Sequence, residues 1–136
     1  MAKYTGQCAC GAVKFAFDKD PDFVADCYCT DCRKASGGIM ATFFGVPETD
    51  FTLLSGSTKG FEYVANSGKK LTRRFCPDCG ARLYTDRLEA FPGLVFVQIG
   101  SLDRPELIQP KLEMFTKRRP GWAKAVDAPQ FTDMPH

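Results

Sequence analysis

The amino-acid sequence predicts a mainly-β fold with few short helices. Segments rich in strand-forming residues recur about every ten residues, and most are bounded by Gly, Asn, Asp or Pro, as in strands joined by turns. In the first segment, Val13, Phe15 and Phe17 fall on one face, because side chains alternate along a strand with a period of two. Helix signals are weak along the whole chain.

Seven segments are strand candidates. In chain order they are AVKFAF (12–17), IMATFFGV (39–46), FTLLSG (51–56), GFEYVA (60–65), KKLTRRFC (69–76), ARLYTD (81–86) and GLVFVQIG (93–100). Their aromatic residues are predicted to lie in the core rather than to stack on nucleic-acid bases, and they include Phe43, Phe44, Phe61, Tyr63 and Phe96.

Two segments are candidates for short helices. TDCRKAS (30–36) has Thr30 or Asp31 near its start, and PGWAKAVD (120–127) has Pro120 near its beginning. The tail from Ala128 to His136 is expected to be irregular. Neither a repeat nor a linker interrupts the sequence, so we expect one domain over residues 1–136.

Composition narrows the function classes. The formal charge of +2 argues against a nucleic-acid partner. No apolar run approaches the roughly 20 residues of a membrane span, and the first residues do not resemble a signal peptide. We therefore expect a cytoplasmic protein without a membrane partner, for which a homodimer is compatible with the sequence. Cytoplasmic thiols stay reduced, which favours metal sites over disulfides.

The sequence has one histidine, His136, at its last position. This excludes a Ser-His-Asp triad, a Cys-His pair and a zinc finger with paired histidine ligands. A metal site in this chain must therefore be built mainly from sulfur.

Seven cysteines fall into three groups. These are Cys8-x-Cys10, Cys27-x-Cys29-x2-Cys32 and Cys76-x2-Cys79. The last, in FCPDCG, has the form of a zinc knuckle, in which backbone N–H groups point at the sulfurs. A knuckle supplies two ligands and structural zinc takes four, so a second pair is needed.

Cys8 and Cys10 can supply that pair. On an extended chain both side chains would lie on one face, and Gly6 and Gly11 would let the chain bend around the metal. The prediction is a closed structural zinc site of four cysteines. Cys27, Cys29 and Cys32 then remain, and three protein ligands with one open position are typical of catalytic zinc. Such a sulfur-rich site suits a soft thiolate better than hydroxide.

Other divisions of the cysteines stay open at this point. Four ligands could come from the first two groups, an iron–sulfur cluster could use the same residues, or the CxxC could be a redox dithiol. Both sites could also be purely structural, with Asp26, Asp31 or a neighbouring chain closing the second.

With these motifs the sequence resembles the glutathione-dependent formaldehyde-activating enzyme family, whose domain is shared by centromere protein V. The resemblance runs from about Thr5 to about Phe131. It is carried by Gly6-x-Cys8-x-Cys10-Gly11, Cys27-x-Cys29-x2-Cys32, Arg73-x-Phe75-Cys76-x2-Cys79-Gly80 and Gly100-Ser101-Leu102-Asp103.

The resemblance implies a folded β-sheet called a β-tent, with two zinc ions per chain. It assigns Cys8, Cys10, Cys76 and Cys79 to a structural zinc, and Cys27, Cys29 and Cys32 to a catalytic zinc. It also implies a carbon–sulfur lyase that combines glutathione with formaldehyde into S-(hydroxymethyl)glutathione. The expected partners are therefore a small thiol, such as glutathione, and an aldehyde.

The sequence departs from the family at two positions. Tyr28 stands where many relatives have His, and Glu113 occupies the position of a second His in PKLEMF. For the proton that the lyase reaction requires, Tyr28, Glu113 and water are the hypothesised sources. Arg33 and Lys34 follow the cysteines and either bind a glutathione carboxylate or are solvent-exposed charges.

Two further function classes remain. The chain could be a non-enzymatic module in which both zinc ions are scaffold and a surface binds a protein or nucleic acid. It could also store or sense metal, although its cysteine content is low for that role. An accessible three-cysteine zinc in a pocket would favour the enzyme.

Overall fold

The computed structural model describes residues 2–135, and strands dominate it. The strands are β1 (Tyr4–Gln7), β2 (Lys14–Phe17), β3 (Val24–Cys27), β4 (Ala41–Pro47), β5 (Thr52–Ser55), β6 (Lys59–Val64), β7 (Lys70–Phe75), β8 (Arg82–Asp86), β9 (Leu94–Gln98) and β10 (Leu112–Met114). The helix α1 covers Thr30–Ser36, and single 3₁₀ turns cover Glu48–Asp50, Ile99–Ser101, Pro105–Leu107 and Thr116–Arg118. The predicted mainly-β class with few short helices is confirmed.

The strands form two sheets. The smaller has the order β1-β2-β5, and the larger has the order β10-β3-β4-β9-β8-β7-β6. All pairs are antiparallel except β10 with β3, which is parallel. A bridge between Gly6 and Leu102 ties the small sheet to the chain that leaves β9. The tent-like folding that the resemblance implies stays a prediction.

The main core lies between the two sheets and is rich in aromatic rings. Phe17 of the small sheet lies 5.5 Å from Phe44 of the large sheet, between ring centroids. Phe51, just before β5, bridges the sheets by contacting Phe15 at 5.2 Å and Tyr84 at 4.7 Å. Each fully buried Phe contributes about 1.5–3 kcal/mol through the hydrophobic effect, so these contacts hold the sheets together.

Each of the seven predicted segments overlaps a strand, and Val13, Phe15 and Phe17 are buried as predicted. The sequence analysis missed β1, β3 and β10. The residues of β3 are all buried and include Asp26, so they show no alternation of apolar and polar residues. The third missed strand, β10, has only three residues, which is too short for a periodic pattern.

The helix predicted at 30–36 is confirmed over those residues, but the helix predicted at 120–127 is wrong. That segment contains a turn, in which the Ala123 N–H donates to the Pro120 carbonyl over 2.9 Å. The Val126 N–H donates to the Glu113 carboxylate instead of a helical carbonyl. Trp122 is 75% exposed and supplies no apolar face that a helix could bury.

The predicted core aromatics divide into two sets. Phe43 and Phe44 are buried and Phe96 packs against a core cluster, as expected. Phe61 is 56% exposed and Tyr63 only half-buried, so for these two residues the core prediction is wrong. Both lie on β6, the edge strand of the large sheet, in which every residue except Tyr63 is exposed.

The tail is irregular over residues 128–135, apart from a bridge between Gln130 and Glu113, and His136 lies outside the described residues. No helix between residues 2 and 135 combines the length and apolar character that crossing a membrane requires.

The close approach of the small sheet to the 99–101 turn requires glycine at position 6. A Cβ atom at Gly6 would lie 2.6 Å from the Ser101 carbonyl oxygen and would overlap the Phe15 ring. We expect Gly6→Ala to lower the free energy of unfolding by about 3 kcal/mol, measured by chemical denaturation. The matched control is Gly121→Ala, since no described heavy atom lies within 4 Å of a Cβ there. Equal stabilities of the two variants would contradict this contact.

Candidate metal centre

The first sulfur group joins two turns that are far apart in the chain. Cys8 and Cys10 lie in the turn between β1 and β2, whereas Cys76 and Cys79 lie in the turn between β7 and β8. The four Sγ atoms lie within 4.8 Å of one another. The structure therefore brings together the four cysteines that the sequence analysis grouped, and the group links the small sheet to the large one.

The expected extended conformation of Cys8 and Cys10 is wrong, because both residues lie in a hairpin turn. The Gly11 N–H donates to the Cys8 carbonyl over 3.1 Å, and Gly11 has φ of +79°. The turn still directs both sulfurs to one point. In the knuckle, the Gly80 N–H donates to the Cys76 carbonyl, and Gly80 has φ of +76°. Glycine permits this left-handed backbone in both turns.

The sulfur spacing fits tetrahedral metal coordination. The Cys8–Cys10 and Cys10–Cys76 Sγ atoms are 3.6 and 3.7 Å apart. Tetrahedral zinc with bonds of about 2.3 Å requires sulfurs about 3.8 Å apart. The Val13 N–H also points at the Cys8 sulfur over 3.3 Å, as expected around a metal-bound thiolate. Two of the four cysteines are buried and two are exposed, so the group lies at the surface.

The second group is built by the end of β3 and the start of α1. Cys27 ends the strand, Cys29 is the N-cap of the helix and Cys32 lies in its first turn. Their Sγ atoms also lie within 4.8 Å of one another, and among the described residues no fourth cysteine or carboxylate joins them. The Cys32 N–H donates to the Cys29 sulfur over 3.3 Å. The residues thus offer three sulfur ligands for one ion.

The three sulfurs differ in how readily they ionise. Hydrogen bonds from the Cys27 and Cys32 thiols, and then from backbone N–H groups, lower the pKa of Cys29 to about 2. The Cys29 sulfur in turn raises the pKa of Cys27 to about 12, and the pKa of Cys32 is raised as well. Three thiolates in one place repel one another, and a divalent cation would offset that repulsion.

The same conflict operates in the four-cysteine group. Burial opposes ionisation of Cys8, but hydrogen bonds from the Val13 N–H and neighbouring thiols lower its pKa to about 6. The Ala12 N–H favours the Cys10 thiolate, yet the Cys8 sulfur and burial raise its pKa to about 12. Both groups therefore have the donor set and the charge conflict expected of metal sites, and zinc fits both.

Apolar residues surround the three-cysteine group. Phe43 and Met114 are buried against Cys27, and the residues packed around this cluster include Phe23, Phe96, Phe115 and Phe131. Low polarity around thiolates strengthens their attraction to a cation and limits the access of water.

A buried carboxylate supports the strand pair behind this group. Glu113 on β10 is opposite Asp26 on β3, and both are fully buried. Glu113 accepts hydrogen bonds from the Arg119 side chain, the Val126 N–H, the Gln130 amide and the Tyr28 hydroxyl, at 3.0, 3.0, 3.0 and 3.3 Å. The carboxylate therefore fastens the C-terminal segment to the sheet next to the cysteines.

The two carboxyl groups differ in how readily they ionise. Burial raises the pKa of Asp26 to about 6, against the hydrogen bond from Thr42 and with a contribution from Glu113. Burial opposes ionisation of Glu113 too, but its hydrogen bonds and the charge of Arg119 lower its pKa. Of the two carboxyl groups Asp26 is thus the more readily protonated, and Glu113 is the charged partner of Arg119.

Both hypothesised protein proton sources are thus buried. Tyr28 is 2% exposed with its hydroxyl on Glu113, and Glu113 is held by four donors. These contacts favour a structural role for both residues.

A cleft of about 510 Å³ lies between α1 and the strands β6, β7 and β8. Its lining residues are Asp31, Lys34, Ala35, Phe61, Tyr63, Arg73, Phe75, Gly80 and Arg82. Lys34 faces it, whereas Arg33 is exposed outside it. The sequence analysis gave no binding role to Arg73 or Arg82, since only the pairing of β7 with β8 brings them opposite the helix.

Comparison with known proteins agrees with this architecture. The family model described as glutathione-dependent formaldehyde-activating enzyme matches residues 3–118. The chain is also similar to the crystal structure of a Rhodobacter sphaeroides protein, with a TM-score of 0.61 and 21% sequence identity. That match covers 78% of this chain and 96% of the other. At this identity the likeness supports the fold alone.

Removing the buried carboxylate tests its structural role. We expect Glu113→Ala to lower the free energy of unfolding by about 3–5 kcal/mol, because Arg119 would be left without its charged partner. The measurement is chemical denaturation at neutral pH. The matched control is Glu106→Ala, which removes a 64% exposed carboxylate paired with Arg104 and should change stability by about 0.5 kcal/mol or less. Similar losses of stability in the two variants would contradict the structural role of Glu113.

Proposed function

The chain belongs to the glutathione-dependent formaldehyde-activating enzyme family, and from that premise we propose a zinc-dependent carbon–sulfur lyase. Its substrates would be a small thiol such as glutathione and an aldehyde, which combine into an S-(hydroxymethyl) adduct or are released from it. The observation that carries the proposal is the division of the seven cysteines into one group of four and one of three.

The two groups would have different tasks. Cys8, Cys10, Cys76 and Cys79 would hold a structural zinc, since four sulfurs complete its coordination. Cys27, Cys29 and Cys32 would hold a catalytic zinc and leave one position for the substrate sulfur. When bound there, zinc would supply a positive charge that lowers the pKa of the thiol and favours its thiolate.

The residues around the three-cysteine group would position the reactants. Ala41, Phe43 and Met114 pack around Cys27 and keep bulk water from its sulfur. α1 carries Cys32 and, on the same helix, Asp31 and Lys34 at the edge of the cleft. A thiol that reaches the sulfur group from the cleft would thus be held near an incoming aldehyde, and such proximity accelerates the reaction.

The chemistry needs neither an oxidant nor a reductant. The thiol sulfur forms a bond to the carbonyl carbon, the carbon–oxygen π bond opens, and the proton lost by the thiol ends on the oxygen. The reverse reaction cleaves the carbon–sulfur bond. Of the three hypothesised proton sources, we propose water, because Tyr28 and Glu113 are buried in the support behind the cysteines.

A non-enzymatic scaffold is the competing proposal. It would need a saturated second metal site and a surface for a macromolecule. The group of only three sulfurs and the neighbouring cleft support the enzyme instead. We further propose that the protein acts in the cytoplasm as one domain, since the cysteines need a reducing compartment.

Replacing Cys29 tests the proposal. NMR can follow the exchange of formaldehyde between its free and glutathione-bound forms. The enzyme-dependent rate is the exchange rate in excess of the uncatalysed one. We expect Cys29→Ser to lower the enzyme-dependent rate about a hundredfold or more and zinc from about two to about one per chain, with little change in thermal stability.

Cys79→Ser provides the comparison, since it removes a ligand from the four-cysteine group. We expect this variant to lose more thermal stability than Cys29→Ser does, because the four-cysteine group joins the two sheets. A Cys29→Ser protein with undiminished turnover would overturn the proposed mechanism. A wild-type protein without turnover on any thiol–aldehyde pair would favour the scaffold.

A further inference from the structure

The cleft beside the three-cysteine group carries an excess of positive charge. Three of its lining residues are cationic, namely Lys34, Arg73 and Arg82, and one is anionic, Asp31. The Asp31 carboxylate already accepts a hydrogen bond from the Tyr63 hydroxyl over 2.8 Å. None of the three cations forms an ion pair with a carboxylate among residues 2–135. The cleft therefore offers positive charge that no carboxylate of the described residues neutralises.

Two guanidinium groups in this cleft have N–H donors without acceptors. Arg82 uses Nη2 on the Thr85 hydroxyl at 3.1 Å, while its Nε and Nη1 are buried and find no acceptor in the described part of the chain. The Nε of Arg73 is buried and unsatisfied in the same way. A buried donor without an acceptor costs about 1–3 kcal/mol, so these groups would gain from a ligand that accepts hydrogen bonds.

The surrounding contacts fix the positions of these donors. The Arg73 guanidinium lies over the Tyr63 ring, 4.3 Å from its centroid. Tyr63 in turn is tied to α1 through Asp31. Arg82 lies on β8, next to β7, and is half-buried. Planar guanidinium groups held in place match the two oxygens of a carboxylate, which accepts hydrogen bonds in pairs.

We propose that this cleft binds a carboxylate of the thiol substrate through Arg73 and Arg82. The inference rests on the proposed function and names the class of thiol, one that carries a carboxylate. Two features place the carboxylate on the thiol rather than on the aldehyde. A cleft of about 510 Å³ is far larger than formaldehyde. Phe61, Tyr63 and Phe75 add apolar wall along which the body of a larger molecule can lie.

The position of the cleft explains how binding would serve the reaction. Asp31, Lys34 and Ala35 belong to α1, the helix that also carries Cys32. A thiol anchored by its carboxylate on the strands opposite this helix has its sulfur confined to the neighbourhood of the three cysteines. Arg73 and Arg82 are thus specificity-determining residues, and thiols without a carboxylate lose this anchor.

Binding of S-methylglutathione tests the inference without turnover. This probe keeps both carboxylates of glutathione, but its methylated sulfur has no proton to lose. We expect the zinc-loaded wild-type protein to bind it in titration calorimetry, and Arg82→Gln to weaken binding about ten- to a hundredfold. Arg73→Gln should weaken binding of the probe similarly. It is the variant to measure if Arg82→Gln does not fold. The dimethyl ester of the probe should bind the wild-type protein at least tenfold more weakly than the probe itself.

The matched control is Arg118→Gln, which removes one exposed positive charge outside the cleft. We expect it to bind the probe as the wild-type protein does. Equal weakening by Arg118→Gln and Arg82→Gln would mean that net charge alone attracts the probe, which overturns the inference. Absence of binding to the wild-type protein, or equal binding by the Arg82→Gln variant, would also overturn it.

Kinetics separate the two possible carriers of the carboxylate. We expect Arg82→Gln to raise KM for glutathione about ten- to a hundredfold and to raise KM for 2-mercaptoethanol far less, with formaldehyde as the aldehyde in both of these assays. Glyoxylate, an aldehyde that carries a carboxylate, is assayed in place of formaldehyde. If Arg82→Gln raises only KM for glyoxylate, the carboxylate belongs to the aldehyde and the inference about the thiol is wrong. Probe binding that depends on Arg82 in a protein without turnover would reject the lyase and retain the carboxylate site.

Discussion

The convergence of four sulfur atoms from two distant turns is the constraint on which the rest of the structure depends. The turn between β1 and β2 belongs to the small sheet, and the turn between β7 and β8 belongs to the large one. Their sulfurs can approach to within 4.8 Å only when the sheets pack as they do. The same packing places Phe17 against Phe44 and Phe51 against Tyr84, so the sulfur group and the aromatic core support one arrangement.

In this arrangement the three-cysteine group is held by elements other than the two turns that carry the four-cysteine group. Cys27 is fixed by β3, whose neighbours are β4 on one side and β10 on the other. Cys29 and Cys32 are fixed at the start of α1, whose C-terminal end is capped by Gly37. Behind the strands, Glu113 fastens the C-terminal segment. The sulfurs can therefore keep their positions without a fourth protein ligand.

The sequence predicted those parts of the molecule that local patterns encode. Alternation and turn residues marked β2 and β4 to β9, and the cysteine spacing indicated the division into four and three. Local patterns could not predict β3 or β10. The strand β3 is buried along its whole length, and β10 has three residues that are held in place by pairing with β3 and by the hydrogen bonds of its own Glu113. The segment at 120–127 has a helix-like composition, but tertiary hydrogen bonds to Glu113 decide its path.

The sequence could not predict the cleft between α1 and the strands β6, β7 and β8, because tertiary packing forms it. Phe61 and Tyr63 resemble core residues in a strand pattern, and only the position of β6 at the sheet edge exposes them. Arg73 and Arg82 are nine residues apart in the chain and meet because a knuckle turn returns β8 along β7. Donors without acceptors become visible only when all neighbours are known.

The most direct test of this account is the zinc content per chain, measured with and without a mild chelator and with added glutathione. We expect about two zinc ions, of which one resists the chelator and the other is lost readily, because three sulfurs leave it open to exchange. Glutathione should change the rate of that loss and leave the resistant ion unaffected. Two zinc ions that resist the chelator equally and do not respond to glutathione would mean that both sites are closed, and would contradict a substrate position at the three cysteines.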